Sequence, residues 1–277
     1  MAKQNEIANH GASGRVKGYA AFGEDERARV IAGECLAAMR AMPGASVDAI
    51  VTDPPYCSGG FTESQRKQAN GQGLRSETLA DVGWFDGDKM GTSGITWLLR
   101  SIAFEACRVL KPTGTMSFFT DWRMVSNLQP AVESAGMQFR SLIVWDKEQP
   151  GLGFGFRAQH ELILHFAPGK PEYHDKSTGN VIRVSRERWE YHQTQKPVDL
   201  MRRLIRVVAP EDGVVLDPFM GSGSTGVAAL REDRRFIGID RNESYCETAR
   251  KRLDAEASAP TLFDRIEADD DGVSEAA

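Results

Sequence analysis

This sequence predicts an α/β fold: an open, mostly parallel sheet with helices on both faces and an antiparallel hairpin at one edge. Three observations predict it. Short apolar runs alternate with segments of helical period. Two of those runs end alike, in an aspartate followed at once by proline, at Asp53-Pro54 and Asp217-Pro218. A third pair, FRSLIVWD (139–146) and ELILHFA (161–167), has no helical segment between its members, so that end of the sheet should be antiparallel.

In chain order, VIAGE (30–34) and VDAIV (47–51) read as the first strands. The second strand runs into Asp53-Pro54-Pro55, where two fixed φ angles and two missing N–H donors stop both sheet and helix. Residues 57–94 form a polar, glycine-rich connection, a length that compact domains reserve for functional or disordered loops. GITWLLRSIAFEACRVL (94–110) reads as a helix, GTMSFFTD (114–121) as a strand and WRMVSNLQPAVESAG (122–136) as a helix. After the hairpin, whose loop opens a second irregular stretch at 147–192, come the helix PVDLMRRLIRVVA (197–209) and the strand VVLDP (214–218). The helix STGVAALRE (224–232), the strand RFIGID (235–240) and the helix NESYCETARKRLDAEA (242–257) close the pattern. Pro197 suits a first helical turn, and Asn242 with Glu243 suits an N-cap. From 259 the chain turns Ala/Asp/Glu-rich, which reads as a disordered acidic tail after one domain over 1–258.

Composition narrows the class. The 277 residues are 41% hydrophobic and 26% charged, enough for a sizeable core. The sequence has no 18-residue apolar stretch and opens on a polar segment, so neither a membrane span nor a signal peptide is expected. Cys35, Cys57, Cys107 and Cys246 are scattered without metal-ligand spacing, the usage of a reduced, cytoplasmic protein that needs no metal. The net charge of −5 belongs to the tail, where six acids and one base over 264–277 leave residues 1–263 neutral. Residues 182–206 hold seven bases against three acids, a modest local excess that fits a basic face or a solvated helix.

The second aspartate–proline turn opens the segment DPFMGSGSTG, with Gly221, Gly223 and Gly226 between strand and helix and Asp240 beyond. That spacing also suits a dinucleotide-binding dehydrogenase. However, Asp217 at the strand's end favours an amine-bearing ligand and would repel a pyrophosphate. No Lys-Ser/Thr follows the last glycine, which excludes P-loop chemistry.

Taken together, the ordered motifs resemble the β-class of DNA amino-methyltransferases, in which the catalytic motif precedes the cofactor motif. Asp53-Pro54-Pro55-Tyr56 is similar to that family's catalytic motif, and DPFMGSGST (217–225) to its cofactor loop. FIGID (236–240) resembles its ribose-binding strand, IAGECLAAM (31–39) the stretch near the cofactor adenine, and HQTQKPVDLMRRLI (192–205) the segment closing over the methionine end. LKPTGTMSFFTDWR (110–123) and VWDKEQPGLGFGFRAQHELILHF (144–166) fit the blocks between. The resemblance spans about 30–255 and implies a Rossmann-like methyltransferase fold in permuted motif order. It implies S-adenosylmethionine as cofactor, held by Asp53, Asp217, Phe219, Gly221, Ser222, Gly223, Ser224 and Thr225. It adds Glu34 and Cys35, Thr194, Gln195 and Lys196, and Asp240 with Arg241. Glu34 stands where the family usually has aspartate.

The resemblance gives the first motif a chemical reading. An exocyclic amine of adenine or cytosine is a weak nucleophile because its lone pair is delocalised into the ring. Asp53 and the Pro54 carbonyl can accept its two N–H bonds and favour an exposed lone pair. Tyr56 can stack on a base swung out of the duplex. Adenine-N6 is the expected target because aspartate, not serine, opens the motif; cytosine-N4 methylation and a non-catalytic DNA-binding module are the alternatives. Double-stranded DNA is the expected partner. Its contacts are expected from Arg66 and Lys67 in the first irregular region and from Arg157, Arg183, Arg186 and Arg188 in the second. Of Phe154, Phe156 and Trp189, two are expected to serve packing. A neutral monomer offers little cationic area, so a homodimer is expected.

Overall fold

A computed structural model describes residues 22–23, 26–55, 91–151, 154–186 and 195–258. The expectations for Tyr56, Arg66, Lys67, Arg188, Trp189, Thr194 and the acidic tail lie outside those residues.

The first strand, β1 (Ala28–Ala32), is followed by α1 (Cys35–Ala41) and β2 (Val47–Thr52). The expected strand through 34 stops two residues early for a local reason. Glu34 has extended φ/ψ, and its carboxylate accepts from the Leu36 and Ala37 N–H groups, so it caps the helix CLAAMRA. Next come α2 (Thr92–Val109), β3 (Leu110–Thr120), a 3-10 turn over Trp122–Met124 and α3 (Val125–Glu133). The start of α2 at Thr92 takes the last residues of the expected 57–94 loop into a helix. The strands β4 (Gln138–Asp146), β5 (His160–Ala167) and β6 (Val181–Arg183) lead to α4 (Val198–Val208), with Pro197 as its N-cap residue, one place before the first turn. Then β7 (Val214–Asp217), α5 (Ser224–Arg231), β8 (Arg235–Asp240) and α6 (Glu243–Ala257) complete the described chain. Asn242 caps α6 as expected, accepting from the Ser244 N–H.

These strands form one sheet in the order β1-β8-β7-β2-β3-β5-β4-β6. Pairing is parallel from β1 to β3, and β5 is antiparallel to both β3 and β4. The expected hairpin is therefore β4–β5. The sequence reading did not find β6, which adds a parallel strand outside β4 and so becomes the edge. Trp145 fastens it, donating from Nε1 to the Val184 carbonyl at 2.8 Å.

Alternating side chains feed two cores. Ile50, Met116, Phe118, Leu164, Phe166, Ile237 and Ile239 pack with α1, α2 and α3, while Ala49, Val51, Phe119, Ile163 and Phe236 pack with α4, α5 and α6. Every residue of β2 is buried, as a central strand covered on both faces requires. Such a sheet brings the carboxyl ends of β1, β8, β7 and β2 to one edge, where open α/β sheets bind ligands. Among the described residues no helix is long and apolar enough to cross a membrane.

Candidate active site

Asp53 leaves the end of β2 and Asp217 ends its neighbour β7, so the sheet brings together two turns that lie 164 residues apart in sequence. Thr52 joins them, its Oγ1 donating to Asp217 Oδ1 at 2.5 Å. Asp217 is 2% exposed and also accepts from the Phe219 N–H at 3.0 Å and from Thr225 Oγ1 at 2.6 Å. Burial pushes its carboxyl up to about 6, with the Asp53 charge adding to the rise and the three hydrogen bonds opposing it.

The loop after Asp217 is shaped by two left-handed glycines, Gly221 (φ 52°) and Gly223 (φ 84°). A Cβ on Gly221 would meet nothing within 4 Å, so an open space faces this turn; on Gly223 it would press against Ala249 of α6 at 3.1 Å. Asp240, at the end of β8, accepts from the Gly221 N–H at 2.9 Å and the Asn242 N–H at 2.8 Å, so it both shapes this loop and helps to start α6. Ser222 is held from behind by Arg252, whose Nη1 donates to its carbonyl at 2.6 Å and to its Oγ at 3.1 Å. The sequence reading had no signal for Arg252, since the contact spans 30 residues and depends on how α6 lies on the loop.

Among the described residues, two of the three buried side-chain polar atoms without a partner belong to the expected cofactor set: Ser224 Oγ and Gln195 Oε1. Such unmet polar atoms suit a polar ligand. Cys35 is different: it is buried in the core, donates to Glu34, and burial together with the Glu34 charge pushes its thiol up to about 12. Burial pushes the Glu34 carboxyl up, but the Leu36 and Ala37 N–H groups, the Cys35 thiol and the Arg40 charge together hold it below the usual carboxylate range. Arg241 is exposed at the start of the α6 turn.

Lys196, expected among the cofactor contacts, is 7% exposed, and its Nζ lies 2.6 Å from Asp53 Oδ2 and 3.3 Å from Glu161 Oε2. Glu161 also pairs with Lys147. Aromatic rings underlie both ammonium groups. Lys196 stands 5.0 Å from the Phe119 centroid, Lys147 stands 4.9 Å from that of Trp145, and the two rings meet edge to face. Burial opposes the Lys196 charge, but Asp53 and Glu161 outweigh it and raise its pKa. For Lys147 burial wins over Glu161, aided by the Arg186 and Lys196 charges, and its pKa is lowered. Neither Glu161 nor Lys147 was singled out by the sequence reading.

Of the basic residues expected to meet DNA, the described ones, Arg157, Arg183 and Arg186, are exposed. Arg183 stands 3.4 Å from Asp146, which also accepts from Gln159 at 2.8 Å. Phe154 and Phe156 are fully exposed on the β4–β5 connection, which corrects the expectation that most of these aromatics serve packing.

Comparison with known proteins follows the same lines. Over residues 47–251 the chain matches the DNA methylase family. It is 34% identical over 227 residues to YubD of Escherichia coli (strain K12), covering 82% of this chain and 90% of that protein. The DNA adenine methyltransferase YhdJ of the same strain is 30% identical over 270 residues, covering 84% of each chain. In fold, the chain resembles the crystal structure of the M1.HpyAVI–SAM complex with a TM-score of 0.59 at 23% identity, over 82% of this chain and 99% of that one.

Proposed function

The chain belongs to the DNA methylase family, and on that premise we propose that it transfers a methyl group from S-adenosylmethionine to N6 of an adenine swung out of double-stranded DNA. One observation carries the reading: the Thr52–Asp217 hydrogen bond, which makes the Asp53 turn and the glycine loop parts of one site. The adenine assignment draws on the aspartate that opens the motif and on the likeness to YhdJ.

The residues present fit the cofactor. The open space at Gly221, the orphaned Ser224 and Gln195 atoms, and a carboxylate at the end of each of β7 and β8 suit a ligand with ribose hydroxyls and positive charge. Asp240 would take the ribose hydroxyls and Asp217 would complement the cation, while Thr225, Phe219 and Ser222 hold the loop in shape. When bound, S-adenosylmethionine supplies a methyl group on a positively charged sulfur. Asp53 and the Pro54 carbonyl accept the two N–H bonds of the target amine, so that its lone pair is turned outward. The two prolines fix that carbonyl's direction at small entropic cost. Tyr56 stacks on the extruded base and offsets its lost stacking. Positioning is most of the catalysis.

Residues 1–258 form the catalytic unit in this reading, and the loop bearing Arg157, with Arg183 of β6 and Arg186 just after it, reads the duplex. A second copy adds the cationic surface that one subunit lacks. Trp97 and Phe104, seven residues apart on α2 and each 61% exposed, offer it an apolar contact. Methyl transfer from tritiated cofactor to duplex DNA, followed by nucleoside analysis, tests the proposal. N6-methyladenine is expected, N4-methylcytosine would move the target base, and no transfer would refute the activity. Sedimentation at micromolar concentration tests the dimer.

A further inference from the structure

Four charged side chains alternate in sign along one partly buried row: Asp53, Lys196, Glu161 and Lys147. Their side-chain exposures are 21%, 8%, 23% and 9%, so the lysines are the deeper members. The row crosses the sheet's strand order. Asp53 follows β2, Glu161 lies in β5 and Lys147 directly follows β4, while Lys196 precedes α4.

Lys196 is shared unequally, 2.6 Å from Asp53 against 3.3 Å from Glu161. An ammonium given wholly to Asp53 would occupy the carboxylate that has to accept the amine. An ammonium drawn wholly to Glu161 would give up the place it holds 2.6 Å from Asp53 Oδ2. Glu161 sets the pull in one direction, and Lys147, by satisfying Glu161, limits it. We propose that Glu161 and Lys147 are positioning residues for methyl transfer, acting on Asp53 through Lys196. This inference rests on the reading of Asp53 as the amine's acceptor.

Among the described residues, these charged groups bear on the row. Asp53 is faced by Lys196 and Asp217, Lys196 by Asp53, Glu161 and Lys147, and Lys147 by Glu161, Lys196 and Arg186. Lys147→Met leaves two carboxylates competing for one ammonium, so the acidic limb of the kcat–pH profile should move up. Glu161→Gln leaves two ammonium groups with one carboxylate, so the same limb should move down. Removing both leaves the neutral Asp53–Lys196 pair.

The test measures kcat for Lys147→Met, Glu161→Gln, the double variant and Lys147→Arg at saturating cofactor and duplex DNA, with thermal melting as the check on folding. Each single neutral variant should lose about ten- to a hundredfold in kcat, as a misplaced catalytic group does, with cofactor and DNA Kd essentially unchanged. The double variant should lose no more than Glu161→Gln alone, because Lys147 acts only through Glu161, and Lys147→Arg should remain close to wild type. Additive losses in the double variant, losses confined to KM, or pH limbs that move together would overturn the proposal. Asp53→Asn separates the two layers of the argument. If it keeps full kcat, the reading of Asp53 fails. If it is inactive while the Glu161 and Lys147 variants turn over normally, only the positioning role fails.

Discussion

The two aspartate–proline turns look interchangeable in sequence and are electrostatic opposites in the fold. Asp53 has a buried ammonium 2.6 Å away. Asp217, more deeply buried, accepts among the described residues from neutral donors: two hydroxyls and one backbone N–H. Dipoles solvate a carboxylate but do not cancel its charge, and burial raises the Asp217 pKa to about 6 where a charge partner would have lowered it. The first turn is electrostatically complete before any ligand arrives. The second is short of one positive charge, which a cationic cofactor would supply. The residue type locates a site, and its neighbours decide what the site lacks.

That contrast can be broken experimentally, and the largest effect should come from Asp53→Ala. It should reduce methyl transfer by about a hundred- to a thousandfold, as other losses of a preorganised catalytic group do, and lower cofactor affinity far less, since Asp53 is one of many expected cofactor contacts. Isothermal titration beside a turnover assay checks both halves; a parallel loss of cofactor binding would erase the distinction between the turns.

Asp217→Asn should do the reverse, weakening cofactor binding about ten- to a hundredfold, as expected for a lost charge-assisted contact. It should also change how stability depends on pH. A carboxyl whose folded pKa is raised from 3.8 to about 6 makes the folded state hold its proton more tightly. Stability from this group is therefore present at pH below 3.8, falls as pH rises through about 6, and is absent at neutrality. The ligand-free Asn variant should be up to about 3 kcal/mol more stable than wild type at pH 7, and the gain should vanish near pH 4. Equal denaturation midpoints at pH 7 would show that Asp217 already has a charge partner.

Thr52→Val cuts the link between the turns and should cost about 1–2 kcal/mol, the range for a lost buried hydrogen bond, divided between kcat and cofactor affinity. An effect on one parameter alone would show that the turns are independent. Pro55→Ala should be smallest, about 0.4–1 kcal/mol of stability through the unfolded chain's extra freedom, read from urea midpoints.

Much of this architecture was legible in the sequence. Seven strands and five helices follow from periodicity and turn residues because each buries a regular apolar face, as Ile50 and Val51 do on opposite sides of β2. The lost elements are short: β6 is three residues held by backbone pairing to β4, and α1 is seven residues whose start depends on Glu34 acting as a cap. Asp53, Asp217 and Asp240 stood out because strand, acid and turn are contiguous in the chain. Glu161 and Lys147 did not, since their meaning arises only when β4, β5 and the segment before α4 come within ion-pair distance across 143 residues of sequence between Asp53 and Lys196. The same holds for Asp48, which receives Lys111 Nζ at 2.8 Å and the Val214 N–H at 2.8 Å and so ties β2 to both its neighbours' strands.

The sheet order also sets a timetable. β2 leads into the Asp53 turn, yet one of its two partners is β7, and among the described residues β1 pairs with β8 alone. On a ribosome the strand that leads into Asp53 emerges early, then waits about eight to thirty seconds for residues 214–217 at ordinary elongation rates. During that wait an apolar strand destined for burial on both faces has an open edge. Pairings of such sequence separation also slow refolding, because the loop must close before the contact rewards it. The order that places the Asp53 turn early in the chain makes the strand before it one of the last to be enclosed.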